Sequence, residues 1–508
     1  MTAARPAPHP AAADPIKVYD ARWEVHEFDD AQVRRLFEAA LAYGRELGVD
    51  TVTVTRDGRL GAPRVLELAI DTAVRLGFRT YACFEPVSTP HGYYASLHVS
   101  AEHPRTMGLV VTASHNPRQY IGVKFTVPVV QAIGLDCGPL GGLTRVRALY
   151  HAPEPPPARP GGTLHRLDLG REYVAYSLEQ AGVGPGTLAG LRVVLDGLHG
   201  AAGPEVLAAL TVAGVAVEPL RLVPDGHFPT GSPNPTSHGK LDAAVRRAAE
   251  CGAHAVIGLD GDGDRIVFGD RRGVLTAGFA FVPILRACLA VAQADRPPPV
   301  LYDPKVSPLA LAEWGRLGAA PLLFRNGHSQ IKDYMTRRGA LAAAEESGHY
   351  YHRLTRAGLT ISGENSIVTI LLFLAALRRD PGLLDELWHR QGQAFTTGEF
   401  NYQFDDDATR DRACAALLEC LAGDGAAITT TTPDGIDLQG TCVSRGVTLA
   451  PAGAQLAPGW YSGYLRPATN EKSVLRAYFS AGDEAGGRRI ERQARALLGA
   501  TFGGRVIE

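Results

Sequence analysis

The sequence has little lysine and little cysteine, and it contains no long run of apolar residues. Its seven cysteines include no Cys-x-x-Cys pair, which argues against a disulfide framework and a structural zinc site. The apolar run at 367–377 is too short to cross a bilayer. A formal net charge of -2 provides no basic surface for nucleic acid or an anionic membrane. We therefore expect a cytoplasmic enzyme that acts on a small molecule and binds neither nucleic acid nor membrane.

Only six of the 51 basic residues are lysines. A lysine ammonium is compact and changes its protonation state more readily than a guanidinium, so it suits work beside a phosphate. Lys124 and Lys305 are the two lysines that lie within motifs described below. Random drift in amino-acid usage explains any single lysine equally well. A role beside a phosphate and retention by chance therefore both stay open as interpretations.

The length of the chain and its pattern of apolar segments predict several α/β domains. At 508 residues the chain is too long for one hydrophobic core. Short apolar runs alternate with amphipathic segments, which indicates α/β layers with mostly parallel strands. A segment rich in Pro and Gly at 152–162 predicts a boundary. We predict a disordered lead-in followed by four domains, with bounds 1–15, 16–152, 163–274, 275–388 and 389–508.

An acidic loop rich in glycine follows the apolar run at 255–259. It contributes the carboxylates of Asp260, Asp262 and Asp264. In an extended segment these side chains project to one side, while the intervening glycines let the backbone curl around an ion. Carboxylate oxygens suit a hard cation, and three of them leave positions for water and a phosphate oxygen. The loop predicts a catalytic Mg²⁺ site.

Two other structures are compatible with an acidic loop of this kind. An acidic turn rich in glycine is commonly a solvated loop without a ligand. An EF-hand calcium loop requires glycine at its sixth position and glutamate at its twelfth. The chain has Arg265 and Arg271 at those positions. The EF-hand is therefore disfavoured, and the solvated loop stays open as the alternative.

A Ser-His-Asn-Pro turn follows the apolar strand predicted at 109–111. This places Ser114 at the carboxyl end of a strand, where α/β folds bind their ligands. The Ser114 hydroxyl is a candidate carrier of a phosphoryl group, and His115 beside it is able to position or protonate a phosphate. Such a turn is more often structural when it stands alone. Its pairing with the aspartate loop indicates phosphoryl transfer.

Together with the aspartate loop, the serine loop resembles the α-D-phosphohexomutase superfamily, which includes phosphomannomutases and phosphoglucomutases. The resemblance covers nearly the whole chain, and its motifs follow in the superfamily's order at 17–22, 56–59, 114–117, 120–125, 225–229, 233–235, 260–265, 303–305, 327–329 and 345–349. It implies an α/β fold with four domains around a central cleft. Three would be related α/β units with mixed, mostly parallel sheets, and the last a smaller α+β C-terminal domain. The sequence itself shows no demonstrable internal repeat.

The resemblance also implies an activity and a set of site residues. The enzyme would be an isomerase that moves phosphate between the 6 and 1 positions of a mannose or glucose phosphate. Ser114 would carry the phosphoryl group and share Mg²⁺ with the three aspartates, and a bisphosphorylated hexose would be the intermediate and activator. Further catalytic candidates are His115, Lys124, Lys305 and His328. Expected substrate contacts are Tyr19, Arg22, Arg265, Glu345, Ser347, His349, Arg466, Ala468, Thr469 and Asn470.

The chain departs from the superfamily pattern mainly in its last loop. The usual Arg-Pro-Ser-Gly-Thr-Glu is replaced at 466–471 by Arg-Pro-Ala-Thr-Asn-Glu, so a serine hydroxyl and a glycine are missing. Substrate choice therefore stays open between a common hexose phosphate, an aminosugar phosphate and the phosphate of a specialised pathway sugar. A sugar-phosphate-binding pseudoenzyme and a phosphatase are rival functions. The oligomeric state is expected to be a monomer or a homodimer.

Overall fold

The computed structural model describes residues 14–292, 295–450, 453–468 and 471–507. The expected lead-in at 1–15 lies outside these ranges except for its last two residues. Four β-sheets succeed one another along the described chain. In the parts described, no helix combines the length and the apolar character that a membrane span requires.

The first unit has a seven-stranded sheet with helices packed against it. Its strands are β1 Ala21–Glu24, β2 Thr51–Arg56, β3 Arg79–Pro86, β4 Thr106–Val111, β5 Tyr120–Val127, β6 Gln131–Ala132 and β7 Thr163–Arg166. Its helices are α1 Asp30–Glu46, α2 Ala62–Arg75, α3 Thr89–Ser100 and α4 Gly142–Tyr150. Because β7 pairs with β3 in parallel, this sheet extends past the boundary predicted at 152–162.

The second and third units each contain a five-stranded sheet. The second is built from α5 Gly170–Ala181, β8 Arg192–Asp196, α6 Gly203–Ala213, β9 Ala216–Leu220, α7 Asp242–Cys251, β10 Ala255–Leu259, β11 Ile266–Asp270 and β12 Gly273–Val274. The third is built from α8 Ala277–Ala292, β13 Pro299–Tyr302, α9 Pro308–Arg316, β14 Ala320–Leu323, α10 His328–Arg338, β15 Ala342–Ala344, β16 Tyr350–Arg356, β17 Leu359–Glu364, α11 Ser366–Arg379 and α12 Leu383–Gln391. The boundary predicted at 388 falls inside α12.

The C-terminal unit has a six-stranded antiparallel sheet. Its elements are β18 Phe395–Gln403, α13 Asp407–Gly423, β19 Ala427–Thr431, β20 Asp437–Ala450, β21 Gly453–Pro467, β22 Val474–Ala481, α14 Glu484–Arg495 and β23 Arg505–Ile507. The predicted fold class is therefore confirmed, with three α/β units and a β-rich α+β unit.

One pattern of strands recurs in the first three sheets. In each sheet, three parallel strands are followed by two antiparallel strands. The parallel strands are β3-β2-β4, β9-β8-β10 and β14-β13-β15, and the antiparallel strands are β5 and β1, β11 and β12, and β16 and β17. The relation among the units is thus visible in their topology although the sequence shows no repeat.

The hydrophobic cores separate the C-terminal unit from the others. One cluster of buried side chains contains residues of all three α/β units, among them Val110, Ile257 and Val300. The C-terminal unit has its own cluster, which includes Phe400, Leu475 and Leu498. The three α/β units therefore share one apolar cluster, to which the C-terminal unit contributes only the partly buried Ala454 among the residues described, and the first unit has a further cluster of its own.

Candidate active site

Three loops occupy equivalent places in the three α/β units. Each loop connects the last parallel strand to the first antiparallel strand, and the loops span 112–119, 260–265 and 345–349. The carboxyl end of a parallel strand is where such sheets bind ligands. The serine motif, the aspartate motif and the motif at 345–349, which the family resemblance identifies as a sugar-recognition loop and which is called the sugar loop below, therefore stand at corresponding positions of three related folds.

The serine loop holds Ser114 in an uncommon backbone conformation. Its φ of 52° lies in the left-handed region, which a residue with a side chain seldom adopts and which is often found at functional sites. The backbone N–H of Ser114 donates to the Thr112 hydroxyl at 2.9 Å. The Ser114 hydroxyl lies 3.4 Å from Asp260 Oδ2 and 3.2 Å from His115 Nδ1. The loop thus directs this hydroxyl at the aspartate loop.

Arg59 holds the backbone of the serine loop in place. Its side chain is buried, and its guanidinium donates to four backbone carbonyl oxygens, those of Ser114 at 2.6 Å, Asn116 at 2.7 Å, and Pro117 and Tyr120 at 3.0 Å each. Asp57 pairs with Arg59 Nε at 3.2 Å. The sequence motif 56–59 contains both residues, but their role was not predicted, because contacts between a side chain and a distant backbone leave no signal in local spacing.

The aspartate loop is a turn and not the extended segment that the sequence analysis assumed. Its three carboxylates are buried and each offers an oxygen within 4.8 Å of the others. Gly263 has a φ of +70°, and a Cβ on Gly261 would lie 2.7 Å from the Ser114 carbonyl oxygen. The glycines therefore serve the turn and the close approach of the two loops.

Lys124 places a positive charge among the aspartates. Its Nζ lies 2.8 Å from Asp262 Oδ2 and 2.5 Å from Asp264 Oδ2. Burial lowers the pKa of this ammonium, but the two carboxylates outweigh burial and raise the pKa well above its ordinary value. Thr89, which the sequence analysis did not identify, donates to Asp262 Oδ2 at 2.6 Å.

The cluster fits a hard divalent cation. Burial, together with the neighbouring Asp262 and Asp264, raises the pKa of Asp260 well above its ordinary value. Two cations, Lys124 and Arg265, which lies 3.8 Å from Asp260, face these three carboxylates, so one negative charge is left without a counterion. Asp262 Oδ1 is buried and has no hydrogen-bond partner within the described ranges. Oxygen-only donors that carry excess negative charge match Mg²⁺.

The loop at 345–349 contacts the aspartate loop directly. Arg265 and His349 form a backbone bridge, and His349 Nε2 lies 3.3 Å from Asp264 Oδ1. The Ser347 hydroxyl lies 2.9 Å from His349 Nδ1. Glu345 is buried and accepts a hydrogen bond from Gly327 N at 3.1 Å. Asp264 and His349 also form a second group of potential metal ligands together with Glu364, a residue that the sequence analysis did not select.

The remaining candidates near the serine loop come from the N-terminal segment and from α10. Arg22 donates to the Asn116 side chain at 3.0 Å and pairs with Asp20 at 2.8 Å. His328 Nε2 lies 3.8 Å from that carboxylate. Burial lowers the pKa of His328 to about 3, so its imidazole is neutral.

Two more candidates, His115 and Tyr19, lie on this side of the site. Burial, with Arg265 and Arg22 adding to it, lowers the pKa of His115 well below its ordinary value. Tyr19 lies edge-on to His328, with 6.1 Å between the ring centroids, and its hydroxyl donates to the Asn326 carbonyl oxygen at 3.4 Å. Arg22, His328 and Tyr19 therefore form one connected group beside the serine loop.

Lys305 lies elsewhere. It lines a cavity between the third unit and the C-terminal unit, and its Nζ is 3.3 Å from Glu399 Oε2. Arg466 lines the same cavity. Within the described part of the chain Lys305 makes no hydrogen bond to the serine loop. Ala468 N donates to the Val474 carbonyl oxygen at 2.9 Å. The predicted contacts Thr469 and Asn470 lie outside the described residues.

Comparisons with known proteins agree with this arrangement. Three family models match the chain, namely phosphoglucomutase/phosphomannomutase alpha/beta/alpha domain I over residues 15–133, domain II over 171–273 and domain III over 283–395. The chain is 30% identical over 347 residues to a phosphomannomutase of Salmonella typhimurium, covering 66% of this chain and 72% of that protein. It is 28% identical over 394 residues to a Xanthomonas campestris protein named phosphohexose mutases, covering 77% and 83%.

A solved structure provides a comparison of folds. The phosphoglucomutase/phosphomannomutase family protein of Burkholderia thailandensis matches with a TM-score of 0.75 at 24% identity, covering 96% of this chain and 98% of that one. At this identity the likeness concerns the fold alone. The three family models and the Salmonella relative establish the membership. The chain belongs to the phosphoglucomutase/phosphomannomutase family of the α-D-phosphohexomutase superfamily.

Proposed function

We propose that the chain is a phosphohexose mutase that moves phosphate between the 6 and 1 positions of a mannose or glucose phosphate. The reaction would pass through a phosphorylated Ser114 and a bisphosphorylated sugar. The observation that carries the proposal is the Ser114 hydroxyl, held 3.4 Å from Asp260 in a buried cluster of three carboxylates. The names of the relatives, phosphomannomutase and phosphohexose mutases, support the same reaction class.

The chemical step exchanges one P–O bond for another. The bond between phosphorus and Ser114 Oγ breaks while a sugar hydroxyl oxygen bonds to phosphorus. The sugar hydroxyl proton passes to a base, and the leaving Ser114 oxygen takes up a proton, which restores the serine hydroxyl. Asp260, Asp262 and Asp264 would hold Mg²⁺, which supplies charge stabilisation for the phosphoryl group when bound. Arg59 keeps the serine loop in place through its four backbone contacts.

We assign different roles to the buried imidazole and the buried ammonium. His328 Nε2 has no hydrogen-bond partner among the residues described, so we assign it to accept the hydroxyl proton. Because burial lowers the pKa of its imidazole to about 3, this role requires the negative charge of the bound phosphates to raise that pKa. Lys124 also lowers the pKa of His328, so the two groups are close enough to interact. Because Asp262 and Asp264 keep Lys124 protonated, its role is to stabilise negative charge at the transferring phosphoryl group.

The other residues would hold the substrate. Arg466 and Lys305 are suited to the phosphate that does not react, since they line one cavity. Ser347 and His349 would face sugar hydroxyls, and Glu345 would position that loop from its buried site. Arg22 and Arg265 would contact the transferring phosphate, and Tyr19 would line the path between the two phosphate positions.

Several finer predictions remain part of this proposal. We still predict that the enzyme uses Mg²⁺ and a bisphosphorylated hexose as activator. We also still predict that it is cytoplasmic and that it is a monomer or a homodimer. An aminosugar phosphate stays the alternative substrate. The pseudoenzyme and phosphatase alternatives gain no observation in their favour, because the serine, the aspartates and the sugar loop are in mutual contact.

A coupled mutase assay tests the proposal. Wild-type protein should convert mannose 1-phosphate or glucose 1-phosphate to the 6-phosphate when Mg²⁺ and a hexose 1,6-bisphosphate are present. Ser114→Ala should lose this turnover, whereas Ser237→Ala, which alters an exposed serine of the second unit, should keep it. A panel with aminosugar phosphates identifies the preferred substrate. Full turnover in Ser114→Ala would refute the proposal.

A further inference from the structure

The cavity that contains Arg466 and Lys305 already contains a carboxylate. Glu399, on β18, lines it together with Lys305 and Asn326 of the third unit and with Arg466 and Arg476 of its own unit. Glu399 accepts a hydrogen bond from Arg476 at 2.8 Å and from Lys305 at 3.3 Å. A single carboxylate thus bridges two of the three cations in the cavity.

The local backbone directs Glu399 into this position. The pairing of β18 with β22 shifts register between Thr396 and Glu399, and Gly398 within the shift has a φ of +67°. A bulge of this kind turns the following side chain in a new direction. The Glu399 side chain is 32% exposed, so a ligand that enters the cavity reaches it.

The positive charges in the cavity are not fully balanced by carboxylates, so the cavity favours a further anion. Arg466 has no carboxylate within 4.0 Å in the described parts of the chain, and Lys305 has Glu399 alone. Arg476 is shared, because Glu471 also lies 2.6 Å from it. Asp303 is buried close enough to Lys305 to raise the pKa of that ammonium. A phosphate dianion that binds Arg466 would therefore approach Lys305 and Arg476 with Glu399 between them.

We propose that Glu399 is an internal anion that competes with the substrate's non-reacting phosphate for Lys305 and Arg476. This inference rests on the proposed function. A phosphate that enters the cavity must displace the carboxylate or bind beside it, and like charges at such distances repel. Lys305 and Arg476 outweigh burial and lower the pKa of Glu399 to about 2, so the carboxylate remains ionised at neutral pH.

The competition has a consequence for the reaction. A bisphosphorylated intermediate has to release its held phosphate before the sugar turns round within the cleft. A cavity with three cations and no internal anion would hold that phosphate more tightly and slow the turn. Glu399 would therefore weaken substrate binding while it speeds release, which is a way to avoid stabilising the ground state.

Binding measurements on three variants test this inference. Titration calorimetry would give dissociation constants for inorganic phosphate and glucose 6-phosphate with wild type, Glu399→Gln and Glu399→Ala. Both variants should bind each ligand about fivefold more tightly, because both remove the same charge. The matched control is Glu491→Gln, since Glu491 also bridges two arginines, Arg488 at 3.2 Å and Arg495 at 2.9 Å, on α14. It should bind within about twofold of wild type.

The outcomes separate this inference from the proposed function. Unchanged or weaker binding in both Glu399 variants, with wild-type mutase activity present, would overturn the inference alone and make Glu399 a brace for its two cations. Tighter binding in Glu399→Gln but not in Glu399→Ala would also overturn it, because the new amide would then be the cause. Wild-type protein that has no mutase activity and binds neither ligand would overturn both.

Discussion

The candidate site has a serine end, formed by the loops at 112–119 and 260–265, and a cavity end beside Lys305 and Arg466, and the two ends are built in different ways. At the serine end, Ser114, Lys124 and Asp260 are at most 2% exposed, and their hydrogen-bond partners lie in the same buried group, since Ser114 contacts Asp260 while Lys124 pairs with Asp262 and Asp264. At the cavity end, the side chains of Glu399 and Arg476 are 32% and 30% exposed. The strand that precedes Ser114 places Val110 in the hydrophobic cluster shared by three units and Val111 in a cluster of the first unit, whereas Glu399 and Arg476 belong to a unit whose core is a separate cluster. From this difference we infer that the end where the proposed reaction breaks and forms bonds is fixed, while the end proposed to hold the non-reacting phosphate is adjustable.

The largest expected effect comes from removing one charge at the fixed end. Asp262→Asn should lower kcat by on the order of 1000-fold, because in the proposed mechanism an amide would not replace the carboxylate that would hold the cation for phosphoryl transfer. Circular dichroism should show an unchanged fold. Asp242→Asn, an exposed position on α7, is the control and should retain activity. Activity of Asp262→Asn within tenfold of wild type would remove the distinction between the two ends.

The sequence predicted the serine and aspartate loops because each is a contiguous motif directly after an apolar strand. It did not predict Arg59, Thr89 or Glu399, since their contacts join segments that are distant along the chain. Lys305 was predicted as a catalytic residue from its rarity and its motif. Its placement beside Glu399 depends on how the C-terminal unit packs, which no local pattern encodes.

The convergence of the aspartates was predicted for the wrong reason. Alternation along an extended strand was expected to bring them together, but a turn does so. Gly261 allows the close approach of the turn to the serine loop, and Gly263 adopts the left-handed backbone conformation within the turn. The relation among the three α/β units was available only from the family resemblance, because sheet topology persists after sequence similarity between repeats has been lost.

The second prediction concerns the support of the serine loop. Arg59→Ala should lower the free energy of unfolding by roughly 3–5 kcal/mol, because it leaves the buried Asp57 without its cation and four carbonyl oxygens without a donor. Urea denaturation measures this loss. Arg64→Ala, an exposed arginine on α2 whose side chain is 56% exposed, should change stability by less than about 1 kcal/mol. Equal losses in both variants would show that the serine end is not specially braced.

The third prediction concerns pH and the partly buried Glu346, which lies in the sugar loop. Burial and the neighbouring Asp303 raise its pKa to about 7 from an ordinary value of 4.5. A carboxyl group whose pKa is raised in the folded state stabilises the fold while the group is protonated. Its contribution to the free energy of unfolding is complete below pH 4.5 and is lost as pH rises towards 7. Glu346→Gln should therefore gain stability relative to wild type by roughly 3 kcal/mol between pH 4.5 and pH 8.

Thermal unfolding of both proteins across this pH range measures the effect. The two curves of melting temperature against pH should lie close together at low pH and diverge as pH increases. Curves that stay parallel would mean that Glu346 does not titrate differently in the folded protein.

The smallest expected effect concerns a contact between the third unit and the C-terminal unit. The Tyr334 hydroxyl donates to Asp434 at 2.7 Å. Tyr334→Phe should cost about 1 kcal/mol, and hydrogen exchange should increase in β19 and β20 but not in the serine loop. Tyr43→Phe, which removes one hydroxyl bond to the Pro139 carbonyl oxygen within the first unit, should leave β19 and β20 unchanged. Faster exchange in the serine loop of Tyr334→Phe would contradict the separation of the two ends.

The most direct test follows the phosphoryl group itself. Protein incubated with Mg²⁺ and glucose 1,6-bisphosphate labelled with ³²P should carry the label on the proteolytic peptide that contains Ser114. The label should leave that peptide when unlabelled sugar monophosphate is added. An active enzyme whose label never appears on Ser114, or appears there and is not released to sugar, would contradict the assignment of Ser114 as the residue that transfers phosphate beside the three aspartates.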